Sequence, residues 1–350
     1  MTSLLMNKES DMQTHLSFGS DNHSGVHPAV MLALAEANQG HTPAYGADPW
    51  TAKAKHLLKQ CFGADSEIFF VFNGTAANTL AIRSLCQPYE AVFAASNAHI
   101  QEDECGAPEY ICGSKILTVA PEEGKLSLKA LEQLQIDPGN PHRVLPRLVS
   151  ITQATESGTV YTLSQLQDIC DLAHKKGMLV HMDGARLANA AAFLGLELGD
   201  CTSAVGIDAL SFGGTKNGLL CAEALIFLKP GLAHRFDYLQ KQSMQLASKM
   251  RFLSSQFIPY LEQKLWLTNA QNANSMAQYL RSRLSKLSSV HFPYPTQANE
   301  VFVRVNPTQA QHLYAEAAAY PWDEGLVRLV CSFDTTKEAI DRLFTGPLTI

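Results

Sequence analysis

The chain has 350 residues, 46% of them hydrophobic and 17% charged, with a formal net charge of -6. That length accommodates one large domain and a smaller one around a core able to enclose a cofactor. The acidic balance offers no basic field, which argues against nucleic acid and anionic membrane surfaces as partners. No apolar run approaches the roughly 20 residues of a spanning helix. Met1 to Leu16 is mostly polar and has no signal-peptide core, so a cytoplasmic protein is expected.

In chain order, short β-branched or aromatic runs alternate with segments of helical period, the pattern of helices covering a mostly parallel sheet. The strand candidates are Ile68 to Phe72, Ala91 to Ala95, Ile116 to Val119, Leu148 to Thr152, Met178 to Met182, Ala209 to Phe212 and Ala224 to Phe227. Between them, Leu126 to Leu134 and Leu163 to Lys176 read as amphipathic helices, the second ending at the stop signal Gly177. After about residue 250 the texture changes to long helix-forming stretches, Met250 to Leu287, followed by short strands around Val301 to Val305 and Val327 to Ser332. The expected organisation is therefore an N-terminal segment (1–20), a seven-stranded α/β domain (21–250) and a smaller α+β domain (251–350). The eight cysteines, at 61, 86, 105, 112, 170, 201, 221 and 331, form no Cys-x-x-Cys pair. They read as reduced thiols packed as small hydrophobes, and no metal site is expected.

Three segments carry candidate chemistry. Phe72-Asn73-Gly74-Thr75-Ala76-Ala77-Asn78 follows a strand candidate and opens a helix, so its small residues offer backbone N–H groups for a phosphate; an ordinary helix cap is the alternative. Neither the Walker pattern nor the Gly-x-Gly-x-x-Gly fingerprint is present, which disfavours a nicotinamide dehydrogenase. Val180-His181-Met182-Asp183-Gly184-Ala185-Arg186 puts an acid at the carboxyl end of a strand, where doubly wound sheets present ligand-binding groups. Asp183 can hold a ring nitrogen protonated, and Arg186 can serve a substrate carboxylate, a cofactor's phenolate or an ordinary ion pair. In Asp208 to Gly218, Lys216 stands in a glycine-rich turn after a short apolar run. A partly desolvated lysine can present a neutral amine to a carbonyl. An imine-forming lysine together with an aspartate at a ring nitrogen is what a pyridoxal phosphate enzyme requires.

With these segments the chain, from about Ser17 to about Thr336, resembles the low-specificity L-threonine aldolases, lyases of the fold type I, aspartate-aminotransferase-like class. The resemblance is carried by Ser20-Asp21-Asn22, Tyr45-Gly46-Ala47-Asp48, Gly74-Thr75-Ala76-Ala77-Asn78, Ala98-His99-Ile100 with Glu104, Met182-Asp183-Gly184-Ala185-Arg186 and Thr215-Lys216. Ser150 to Glu156 and Gly214 to Gly218 are most similar to a bacterial branch that includes enzymes accepting phenylserine. The resemblance implies pyridoxal 5'-phosphate bound covalently at Lys216, its ring nitrogen on Asp183 and its phosphate on Gly74 and Thr75. It further implies that His99 stacks on the ring with Glu104 orienting it, and that Ser20, Arg186 and Arg328 hold the substrate carboxylate. Tyr45, Lys249 and Arg251 would reach a neighbouring subunit's site in a homo-oligomer, a dimer or a tetramer, with sites at the subunit interface. The implied reaction cleaves the Cα–Cβ bond of a β-hydroxy-α-amino acid to glycine and an aldehyde.

One departure stands out. Many members carry a histidine in a Glu-Asn-Thr-His-Asn segment where this chain reads Thr152-Gln153-Ala154-Thr155-Glu156, so the side chain at the substrate hydroxyl would be Thr155 or absent. A water, or His99 acting through one, could take the proton. The alternatives are another fold type I lyase, such as a β-eliminating one, or a catalytically silent protein that keeps the fold.

Overall fold

Seven short runs, mostly apolar, build one sheet: β1 (Glu67–Val71), β2 (Glu90–Ala95), β3 (Lys115–Val119), β4 (Leu145–Thr152), β5 (Leu179–Gly184), β6 (Ala209–Gly213) and β7 (Glu223–Phe227). In the computed structural model, which describes residues 17–323 and 325–348, they lie in the order β1-β7-β6-β5-β4-β2-β3. Only β7 runs against its neighbours, β1 and β6; the other pairs are parallel. All seven strand expectations are met within a few residues, because a parallel sheet covered on both faces needs near-continuous apolar runs. Residues 1–16 of the expected N-terminal segment lie outside the described residues.

The helix Leu163–Lys175 shows how the sequence covers this sheet. Thr162 and Gln165 form a reciprocal capping box at its start, and Leu166, Ile169, Cys170 and Ala173 are buried at helical spacing. Burying each of the larger of these apolar side chains contributes about 1.5–3 kcal/mol.

A second apolar core is built around a three-stranded antiparallel sheet, β8 (Glu300–Arg304), β9 (Tyr320–Asp323) and β10 (Leu326–Val330), in the order β8-β10-β9. The expected long helical stretch Met250 to Leu287 is three helices, Arg251–Ser254, Phe257–Glu262 and Leu265–Leu284, and Lys264 between the last two has a left-handed φ of 50°. Helix Leu265–Leu284 joins the two cores: Trp266 and Ala270 pack into the first, Met276, Ala277, Leu280 and Leu284 into the second. Phe18 packs into the second core, and its carbonyl accepts the Val330 N–H at 2.7 Å. That bond lays Gly19 to His23 between the small sheet and the carboxyl ends of β5 and β6, where the site is found.

Candidate active site

The carboxyl ends of β4, β5 and β6 set Thr152, Asp183 and Ser211 abreast in register. All three line a cavity of about 230 Å³ together with residues of the turn after β6 and of the helix starts after β1 and β2. The turn approaches the strand end closely. A Cβ at Gly213 would lie 2.4 Å from the Ala185 carbonyl oxygen, so only glycine brings the Lys216 turn against Asp183-Gly184-Ala185.

At the start of helix Gly74–Leu85, Asn73 Oδ1 accepts the Ala76 N–H at 2.8 Å. Gly74 and Thr75 line the cavity, and their first-turn N–H groups lie beyond the reach of intrahelical acceptors. One turn further, Asn78 Nδ2 donates to Glu104 Oε1 and to Asp183 Oδ2, each at 2.8 Å. Glu104 Oε1 is also 2.9 Å from His99 Nδ1, and Asp183 Oδ1 accepts the Ala185 N–H at 2.9 Å. A continuous chain of hydrogen bonds thus runs His99, Glu104, Asn78, Asp183. The hydrogen bond to Glu104 raises the His99 pKa despite partial burial. Burial raises that of Glu104, and the charge of Asp183 adds to the effect.

A second carboxyl holds His99 from its backbone. Glu156 Oε1 accepts the His99 N–H and the Thr152 hydroxyl, both at 2.8 Å. Burial, reinforced by the charge of Asp183, pushes Glu156 up to about 7. On the other side of the cavity Glu223 Oε2 accepts the Gly214 N–H at 2.7 Å, and burial pushes this acid up to about 7 as well.

Arg186 lines the cavity and is paired with the segment laid over the site: its Nε and Nη2 donate to Asp21 at 2.8 and 3.0 Å. Glu300 lies 3.6 Å from Arg186 and 3.8 Å from Arg328, tying the two arginines through one buried acid. Burial would lift the Asp21 carboxyl, but the charges of Arg186 and Lys216 outweigh it and hold Asp21 below the usual range. In Glu300 burial prevails and raises the pKa.

The structure therefore gathers Gly74, Thr75, His99, Glu104, Asp183, Arg186 and Lys216 around one cavity. Ser20, Tyr45 and Arg328 do not line it. Ser20 caps the turn that carries Asn22 into the lining. Arg328 donates to the Gly19 carbonyl at 3.3 Å and faces Trp322. Tyr45 is 53% exposed with Lys241 Nζ 4.9 Å from its ring centroid. Lys249 is exposed, and Arg251 reaches the carbonyls of Gln39 and Gly40. Thr155 is turned away from the cavity into its own loop, its hydroxyl 2.7 Å from that of Thr159. The acid that sequence reasoning passed over in the same segment, Glu156, faces the cavity instead. Glu223 was also missed, although a lone acid inside the apolar run Leu219 to Phe227 is itself a signal, since acids are rarely buried without a partner.

A sheet whose strand ends deliver a lysine, an aspartate and an oriented histidine to one cavity describes an α/β enzyme. The sequence matches the beta-eliminating lyase family over residues 17–308, and the chain belongs to that family. It is 43% identical over 329 residues to the low specificity L-threonine aldolase of Pseudomonas aeruginosa, covering 93% of this chain and 95% of that one. With the low specificity L-threonine aldolase of Saccharomyces cerevisiae it shares 27% identity over 292 residues, covering 82% and 73%. Among solved structures, the Leishmania major threonine aldolase superposes with a TM-score of 0.85 at 31% identity, covering 94% of this chain and 97% of that one.

Proposed function

We propose that the chain is a pyridoxal phosphate-dependent, low-specificity L-threonine aldolase that cleaves L-threonine, L-allo-threonine and phenylserine to glycine and an aldehyde. The observation that carries this reading is Lys216 and Asp183 facing one cavity, with His99 held beside them by two carboxyls. The residues present fit the cofactor. Gly74 and Thr75 offer first-turn N–H groups to a phosphate, Asp183 offers a carboxylate to a ring nitrogen, and Lys216 offers the amine for its aldehyde. When bound there, pyridoxal phosphate supplies the electron sink for the carbanion left at Cα.

The chain's own groups supply grip, orientation and proton traffic. Arg186 uses Nε and Nη2 on Asp21, leaving Nη1 outside that pairing. Arg186 lines the cavity, and the fork geometry of a guanidinium orients a substrate carboxylate better than an ammonium would. Gripped in this way, the Cα–Cβ bond can be held in the orientation that cleavage requires. His99 Nδ1 is engaged with Glu104, so Nε2 is the ring atom left to exchange a proton with the β-hydroxyl, directly or through one water.

The same reading includes a cytoplasmic homotetramer whose sites lie near subunit interfaces. Support comes from the exposed Tyr45, Leu32 and Met244, at 53%, 66% and 83% exposure, which a partner subunit could cover. Among the described residues no helix is long and apolar enough to cross a membrane.

The test is product analysis with L-threonine, L-allo-threonine and L-phenylserine in the presence of the cofactor. Aldehyde and glycine in equal amounts, absent with Lys216→Ala, are expected. Keto acid and ammonia instead would establish a β-eliminating lyase and overturn the reading.

A further inference from the structure

Glu223 opens β7 directly opposite Gly213, the last residue of β6, and opposite Val71, the last residue of β1. Its neighbours in the strand are apolar, yet it is only 7% exposed. A buried carboxylate is costly unless hydrogen bonds compensate it. Here the compensation comes from one place, the turn that carries Lys216. The Gly214 N–H donates to Oε2 at 2.7 Å. Thr215 Oγ1 in turn accepts the Ala222 N–H at 3.2 Å, closing the turn onto the residue before Glu223. The acid therefore grips the backbone two residues before Lys216 and lines the same cavity as the lysine.

The electrostatic setting is equally specific. The charge of Lys216 acts on Asp21 and Glu300, from the segment and small sheet laid over the site, and on Glu223 from β7, with His99 as a further titratable neighbour. Asp21 and Glu300 are already engaged by arginines. Among these acids, Glu223 alone holds the lysine's own backbone turn.

We propose that Glu223 is a positioning residue for Lys216, fixing the turn from which the amine enters the cavity and placing a carboxyl within electrostatic reach of its nitrogen. This rests on the reading of Lys216 as the covalent anchor of pyridoxal phosphate. Glu223 forms and breaks no covalent bond. It acts through the approach direction and the charge that the nitrogen experiences.

The experiment compares the wild type, Glu223→Gln and Glu223→Ala as cofactor-free proteins mixed with pyridoxal phosphate. It follows the rise of the absorption band of lysine-bound cofactor, then the change of that band with pH. Glu223→Ala is expected to load at least tenfold more slowly. Glu223→Gln, which keeps an acceptor for the Gly214 N–H but cannot ionise, is expected to load at an intermediate rate. In both variants the midpoint of the band's pH dependence is expected to fall by at least half a unit, because a carboxyl whose ionised form stabilises the protonated nitrogen is gone. Asp21, Glu300 and His99 are retained in every protein compared. Cys221 and Tyr260, whose thiol and hydroxyl also feel Glu223, are both raised by burial, away from the range scanned. A merely structural role would lower the melting temperature without moving the midpoint. Wild-type loading and an unshifted midpoint in the variants would overturn the inference while leaving the lysine's role intact. Failure of the wild type itself to form the band would defeat the reading beneath it. Should Glu223→Ala not fold, the midpoint of Glu223→Gln decides alone.

Discussion

Replacing Asn78 with alanine removes one amide nitrogen that bridges two buried carboxyls, Glu104 and Asp183, at 2.8 Å each. Hydrogen bonds to charged groups contribute about 1.5–3 kcal/mol each, and a buried acceptor left without a donor loses its compensation. Losing both bonds should cost about 3 kcal/mol after relaxation and entry of water. At an unfolding entropy of about 2 cal/mol/K per residue, that corresponds to a fall in melting temperature of roughly 4 °C for a chain of this length. The effect on chemistry should be larger than on folding. The bond from Asn78 fixes the orientation of the Asp183 carboxylate, and without it the carboxylate can turn away from a ring nitrogen. It would then be less able to hold a ring nitrogen protonated. We expect kcat to fall at least tenfold with KM within about a factor of three, measured by steady-state aldehyde release alongside differential scanning calorimetry. Wild-type kcat and an unchanged melting temperature would refute the bridging role.

Three further outcomes follow from the same geometry. The hydrogen bond that His99 donates to Glu104 raises the His99 pKa, so Glu104→Gln should lower it and move the acidic limb of the kcat/KM profile to lower pH; an unmoved limb would separate His99 from the proton step. Arg186→Lys cannot span Asp21 with two nitrogens as the guanidinium does, and should raise KM for the amino acid at least tenfold, read from initial rates. The third concerns stability against pH. Glu156 has a folded value of about 7 against an ordinary 4.5. The folded protein therefore holds a proton that the unfolded chain releases, and stability falls as pH rises from about 5 towards 7 and beyond. Glu156→Gln should flatten that part of the melting-temperature profile, as scanning calorimetry across the range would reveal.

The large sheet was legible because its inner strands are buried on both faces and read as apolar runs. Asp183 and Lys216 were legible because each closes or follows such a run at the carboxyl edge. Asn78 was visible only as part of a phosphate-binding motif. Its bridging role depends on Glu104 and Asp183, 26 and 105 residues away in sequence, meeting at one point. The partners of Arg186 were hidden for the same reason, since Asp21 and Glu300 arrive from opposite ends of the chain. Thr155 and Glu156 illustrate a local limit. A loop decides which of two adjacent side chains enters a cavity, and no periodicity records that choice. The break at Lys264 escaped notice because a lysine in a left-handed conformation carries no glycine to announce the turn.

The central claim is that Lys216 carries the cofactor. Its most direct test is to load the protein with pyridoxal phosphate, reduce with borohydride, digest and map the modified peptide by mass spectrometry. The account predicts one pyridoxyl group, on Lys216. A protein that turns over substrate yet carries the label on another lysine, or on none, would contradict it.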